Sequence, residues 1–227
     1  GIAQDDLQDR YTALAGTIQR WAADGRRDAA ALEGLQQAGE VQERIEAARV
    51  ERRLDDLPGL YGRLAEVKLA SMTQWDHARD AAELARQGAA AAALLGDEAA
   101  ELRLLVLQGK ALLKAEDPEA AEGVLRQAVA RREGRAEHAL LGLEALGRLG
   151  EALANQEKDE EAAPILRKVW EEADALGTAD VLEWRVNPRI IKGYDQPDVA
   201  RLGEAWGIAK GGPRDLAVRA GTALAQM

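Results

Sequence analysis

The sequence has 227 residues, with 40 acidic and 30 basic side chains and a formal net charge of -10 when the histidines are neutral. This length gives room for one or two domains with a substantial core. The large negative charge disfavours direct nucleic-acid binding and anionic membranes, where Lys and Arg must neutralise phosphates. Because the chain has no Cys, disulfides, thiolate metal sites and cysteine catalysis are excluded.

No membrane span is predicted, because the longest purely apolar run, residues 89–95, is far shorter than the roughly 20 residues that a span needs. The absence of Cys fits a reducing compartment. We therefore expect a cytoplasmic protein, with export after removal of a signal peptide as the alternative.

The predicted elements are helices from the start of the chain onward. In the N-terminal segment, apolar residues spaced three or four positions apart form one helix face: Leu7, Tyr11, Leu14, Ile18 and Trp21. This stripe covers about two heptads, which is short for a coiled coil, so packing on a neighbouring helix is favoured over dimerisation. No segment alternates with enrichment in Val, Ile and Thr, so the predicted class is all-α.

Glycines mark the predicted helix ends further along the chain. Gly96, Gly134 and Gly177 each follow a helical stretch and predict left-handed C-terminal caps. Asp97 is predicted to cap the next helix start with its side chain. The pattern indicates antiparallel helix pairs joined by short turns.

The predicted pairs repeat with a period near 40. The segment 116–121 aligns with 157–162, with 195–200 and, more loosely, with 73–78. Each segment ends in Ala, and these alanines are separated by 43, 41 and 38 positions. Such a period, in units of two helices, is typical of a helical solenoid.

The two central units resemble tetratricopeptide repeats. The repeat-defining small residues are Gly109 with Ala121 in one unit and Gly150 with Ala162 in the next. Leucines occupy the family's large positions: Leu105, Leu112 and Leu125 in the first unit, and Leu146, Leu153 and Leu166 in the second. The period exceeds the family's roughly 34 residues, which resembles the extended repeats of some bacterial regulatory proteins.

This resemblance implies a right-handed α-solenoid of about five antiparallel helix pairs. Residues 1–57 would form N-terminal helices with a degenerate first repeat, 58–210 the repeats, and 211–227 a capping helix. Two departures flank the central units: Glu66 and Pro188 stand where the glycine is expected. Because proline interrupts helical hydrogen bonding, Pro188 predicts a kink or a helix end.

The resemblance also implies a concave groove lined by the first helix of each unit. Carried over by position, its principal residues are Arg103, Val106, Lys110, Leu113, Lys114, Arg148, Asn155, Arg185 and Arg189. Further inward-facing positions are Arg63, Val67, Glu144, Glu151 and Lys192. Basic residues outnumber acidic ones here, which favours an acidic or carboxylate-bearing protein or peptide partner. The alternative is that these side chains solubilise a helix face and pair with Glu one turn away.

Catalysis is not predicted. The only serine, Ser71, lies across a predicted turn from His77, and two isolated histidines give no metal-ligand spacing. We expect no catalytic residue, metal or cofactor, and a protein-interaction scaffold as the function. The alternative is a ligand- or peptide-sensing and oligomerisation region of a larger bacterial transcriptional regulator, and homo-oligomerisation is compatible with both.

Overall fold

The computed structural model describes residues 33–71, 75–132 and 139–176. Within these ranges every regular element is helical and no strand occurs, which confirms the all-α prediction. Helix α1 covers residues 33–50. A 3-10 turn, Leu54–Asp56, then precedes six more helices: α2 (Leu57–Ser71), α3 (Trp75–Leu95), α4 (Glu98–Lys114), α5 (Pro118–Arg132), α6 (Ala139–Asn155) and α7 (Asp159–Leu176).

Several predictions concern residues outside those described. They are the N-terminal apolar stripe, the caps at Gly134 and Gly177, the interruption at Pro188, the unit around Ala200 and the capping helix in 211–227.

The turns that follow α1, α3, α4 and α6 share one geometry. Each has a residue with positive φ, and the next residue donates its N–H to a carbonyl five positions earlier, at 2.8–3.0 Å. Gly96, with φ 72°, confirms the predicted cap. Arg52, Glu116 and Glu157 hold the same position with φ of 57°, 58° and 61°. The aligned segments 116–121 and 157–162 therefore begin with the same turn.

The first turn of α4 is capped as predicted. The Asp97 carboxylate accepts a hydrogen bond from the Ala100 N–H at 2.9 Å, which satisfies a backbone donor that the helix itself leaves unpaired. The start of α5 is stabilised in the same way, because the Asp117 carboxylate accepts from the Ala120 N–H at 3.1 Å.

From α2 to α7, each helix packs against the next one in the chain, and α4 also contacts α2 and α6. A core cluster runs through α3 to α6, with Leu102, Leu105 and Val106 of α4 packed against Ala128 of α5 and Ala145 of α6. Alanines at the contacts let the helices approach closely. Helix α4 is thus covered on several sides, and its remaining exposed face lies beside α2 and α6.

The helices of the two central units touch at glycine. A Cβ atom on Gly109 would lie 2.5 Å from Leu125 Cδ2, and one on Gly150 would lie 2.3 Å from Leu166 Cδ2. Both leucines are buried. Any larger residue at these two positions must therefore displace a core side chain.

The contact between α2 and α3 is built differently. Glu66, which aligns with the two glycines, is exposed. The buried residue beside it is Ala65, which packs with Ala81, Ala82 and Ala85 of α3. Since these side chains are all small, α2 and α3 pack closely without a glycine at the aligned position.

Candidate interaction surface

Two depressions lie along the exposed side of α4. The N-terminal depression, of about 460 Å³, lies between α2, the 3-10 turn and the start of α4; its lining residues are Asp55, Pro58, Gly59, Gly62, Arg63, Glu66, Asp97, Ala100, Arg103, Leu104 and Leu107. The C-terminal depression, of about 300 Å³, lies between α2, α4 and α6; its lining residues are Leu69, Lys110, Leu113, Lys114, Arg148 and Glu151.

The two depressions adjoin along the contact between α2 and α4. Glu66 in the first and Leu69 in the second are three residues apart on α2. Leu107 and Lys110 are likewise three residues apart on α4. Residues three apart are neighbours on a helix surface, so the depressions are consecutive parts of one surface, which we call the α2–α4 groove.

Several predicted groove residues meet in this region. Lys110, Leu113, Lys114 and Arg148 line the C-terminal depression together. Arg103 lies about two helical turns before Lys110 on α4 and lines the N-terminal depression. The structure therefore divides the predicted basic set between two neighbouring places.

Four predicted groove residues do not line the depressions: Val106 and Asn155 of the principal set, and Val67 and Glu144 of the further positions. Val106 is only 2% exposed and belongs to the core cluster that also includes residues of α3, α5 and α6. Asn155 is exposed as the last residue of α6, outside both depressions. The expectations for Arg185, Arg189 and Lys192 lie outside the described residues.

The three cations of the C-terminal depression are held by neighbours on α2 and α6. Lys110 Nζ pairs across helices with Glu144 Oε1 at 2.8 Å. Arg148 Nη1 pairs with Glu151 Oε2 at 3.0 Å, one turn away on α6. Lys114 Nζ donates a hydrogen bond to the carbonyl of Leu69 at the end of α2. These contacts fix the positions of the charged groups. The three cations together with the Glu144 and Glu151 carboxylates have a net charge of plus one.

The N-terminal depression has the opposite balance. It contains three carboxylates, from Asp55, Glu66 and Asp97, and two guanidinium groups, from Arg63 and Arg103. Arg63 Nη1 and Glu66 Oε2 are 3.9 Å apart, and Asp97 caps α4. The sum is one negative charge. These carboxylates were not predicted as groove residues from the sequence. Asp55 and Asp97 lie at turns, and Glu66 lies where the repeat pattern expects a glycine, so the pattern assigns none of the three to a groove.

A buried polar network joins the two central units away from the groove. Glu122 of α5, whose side chain is 9% exposed, accepts from Lys158 Nζ at 2.8 Å and from Gln156 Nε2 at 2.8 Å. It also pairs with Arg126, which reaches Glu161 of α7 at 2.9 Å. The hydrogen bond from Lys158 is the largest cause of a lowered pKa for the Glu122 carboxyl group.

This network was not found from the sequence. Its only available signal is the placement of Gln156 and Lys158 around the repeated turn at Glu157. That turn presents the side chains of Gln156 and Lys158 toward α5. Gln156 Nε2 also donates a hydrogen bond to the carbonyl of Pro118 at 3.1 Å. The network therefore has a structural role, holding the α6–α7 turn against α5.

Comparisons add no family assignment: no protein-family model matches the chain, and no curated protein is significantly similar to it. In the part of the chain that the structure describes, no helix combines the length and apolar character needed to cross a membrane. Over those same ranges, no cluster of His, Cys, Asp or Glu side chains is arranged as a metal site.

Proposed function

We propose that the protein is a non-catalytic scaffold, a right-handed tetratricopeptide-like solenoid of antiparallel helix pairs, that binds a peptide or protein segment in a weakly basic groove. The binding region would be the C-terminal depression and the adjoining part of the α2–α4 groove. Its partner would carry at least one carboxylate beside apolar side chains.

The order of the helix contacts supports the solenoid part of this proposal. Between α4 and α5, Glu101 pairs with Arg131 at 3.0 Å, while Gly109 meets Leu125. Residue numbers thus rise on one helix as they fall on the other, as antiparallel helices require. Contacts of α4 with both α2 and α6 are what a row of first helices along one side of a solenoid would produce.

The observation that carries the binding proposal is the composition of the C-terminal depression. Two leucines, Leu69 and Leu113, lie among Lys110, Lys114 and Arg148, contributed by three helices. Apolar side chains of a partner would gain affinity by burial against the leucines. The cations would select and orient a carboxylate, and they would raise the association rate more than the affinity.

The test compares two charge reversals of equal size. The groove variant replaces four basic residues with Glu: Arg103, Lys110, Lys114 and Arg148. The control variant replaces four exposed basic residues outside both depressions with Glu: Arg44, Arg79, Arg167 and Lys168. Both lower the net charge equally, so a difference between them reports the position of the charge.

Binding is measured by fluorescence polarisation with labelled peptides that combine leucines with a glutamate pair or a free terminal carboxylate. We expect the groove variant to bind at least tenfold more weakly than the wild type and the control variant to bind nearly as well, after circular dichroism has shown equal helicity. Gln in place of Glu at the same four positions provides a milder variant if reversal unfolds the chain. Equal binding by both reversals, or no binding by the wild type, would contradict the proposal and favour a ligand-sensing role.

A further inference from the structure

The two depressions of the α2–α4 groove carry opposite net charges, and from this we infer that the groove binds a bipolar segment. The inference is that the partner places a basic side chain in the N-terminal depression and a carboxylate in the C-terminal depression. This inference rests on the proposed function and adds a second charge and a fixed orientation to it. The occupant is therefore a segment of another protein or peptide with a basic and an acidic end.

The charged groups themselves support this polarity. Three carboxylates face two guanidinium groups in the N-terminal depression, whereas three cations face the Glu151 carboxylate in the C-terminal depression. Lys110 remains partly neutralised by Glu144 at 2.8 Å. A uniformly acidic partner would meet Asp55, Glu66 and Asp97 at one end, and like charges placed together oppose binding.

Apolar residues contribute to both depressions. Gly62, Leu104 and Leu107 contribute to the N-terminal depression, and Leu69 and Leu113 to the C-terminal one. A short segment with small apolar residues between its charged ends would lie along these residues. Leu104 packs over Gly62, since a Cβ atom there would lie 3.1 Å from Leu104 Cδ2.

The spacing of the charges sets the length of the segment. From Asp97, the acidic residue that caps α4, to Lys114 the helix rises about 26 Å, at 1.5 Å per residue. An extended peptide covers that distance in about eight residues, at roughly 3.3 Å per residue. The separation also exceeds the Debye length of about 10 Å at 0.1 M salt, so each end of the groove acts on the partner group placed beside it.

Three blocked, fluorescein-labelled peptides test the inference by fluorescence polarisation at about 0.1 M salt. The bipolar peptide has two lysines, a five-residue spacer of Ala and Leu, and two glutamates. The acidic peptide replaces both lysines with Gln, and the basic peptide replaces both glutamates with Gln. We expect the bipolar peptide to bind about 3- to 10-fold more tightly than the acidic one, since exposed ion pairs contribute little individually.

Substitutions in the protein assign each peptide charge to its end of the groove. Asp55→Asn should remove most of the advantage of the bipolar peptide and leave the affinity of the acidic peptide unchanged or slightly higher. Lys114→Gln should weaken both glutamate-containing peptides by a similar factor. The matched controls, Glu43→Gln and Lys168→Gln, change the same net charge at exposed positions outside both depressions and should alter neither affinity.

The outcomes separate this inference from the proposed function. Equal affinity for the bipolar and acidic peptides, or an Asp55→Asn effect of the same size on both, would overturn the bipolar inference and leave the proposed acidic-segment binding standing. Failure of all glutamate-containing peptides to bind would overturn both. A preference for the bipolar peptide that disappears only in Asp55→Asn supports the assigned orientation.

Discussion

Replacement of Gly150 by Ala tests the close contact between α6 and α7. The added Cβ would lie 2.3 Å from Leu166 Cδ2 and 2.7 Å from Leu166 Cγ. The second distance involves the branch point of a side chain that is only 3% exposed, so rotation of a terminal methyl group cannot relieve the overlap. Gly123 of α5 is the matched control, because it is exposed within a helix and a Cβ there has nothing within 4 Å.

The expected magnitudes follow from two opposing effects. Ala is favoured over Gly in a helix interior by about 1 kcal/mol, which both substitutions gain. Overpacking costs about 1–3 kcal/mol, which only Gly150→Ala incurs. We therefore expect Gly123→Ala to stabilise the protein and Gly150→Ala to leave it about 1–3 kcal/mol less stable than Gly123→Ala. Gly150→Leu should be the most destabilised of the three variants.

The assay is urea unfolding followed by circular dichroism, with the slope of the transition compared among variants to check that cooperativity is unchanged. A double variant, Gly150→Ala with Leu166→Ala, removes the overlapping side chain. Its destabilisation should be smaller than the sum of the two single effects. The reasoning is refuted if Gly150→Ala is as stabilising as Gly123→Ala, or if the two effects in the double variant simply add.

Two further predictions concern the repeated turns and the buried network. Glu116→Gly and Glu157→Gly should each raise the free energy of unfolding by about 0.5–1 kcal/mol, because glycine tolerates positive φ better than glutamate. The midpoints of urea unfolding measure this effect, and unchanged midpoints would argue against strain at the turns. Glu122 has a folded-state pKa below its ordinary value of 4.5, chiefly because Lys158 donates a hydrogen bond to its carboxylate. Its stabilising contribution is therefore present above about pH 4.5 and is lost as the pH falls through the lower folded-state value. The variant Glu122→Gln should show a weaker decrease in stability between about pH 5 and about pH 3, measured by urea midpoints across that range; an acid sensitivity equal to that of the wild type would contradict the assignment.

Local features of the fold were predictable from the sequence because they depend on neighbouring residues. Helix formers and apolar spacing gave the all-α class, and Gly96 and Asp97 marked a helix end and the next helix start correctly. The alignment of Glu116 with Glu157 gave two equivalent turns, although both have a non-glycine residue at positive φ. That conformation depends on the geometry of the helix before the turn, and because no glycine occupies the position, the residue type does not indicate it.

The surface was less predictable because it depends on which helices cover one another. The sequence placed Val106 and Lys110 on the same groove face, but Val106 is buried in the core cluster and Lys110 lies beside Glu144. Helical periodicity defines the residues on one face of α4. Periodicity does not specify how much of that face stays exposed after the neighbouring helices have packed against α4.

The sequence by itself determined the helical class, the positions of the repeated turns and the small residues of the central units, since propensity and periodicity act over a few residues. Only the tertiary structure decided which charges share a depression. Asp55 and Arg103 are 48 positions apart in the sequence, and no sequence pattern pairs them. Both nevertheless line the N-terminal depression. Packing of α2 beside α4 produces this proximity, and with it the opposite charge balance at the two ends of the groove.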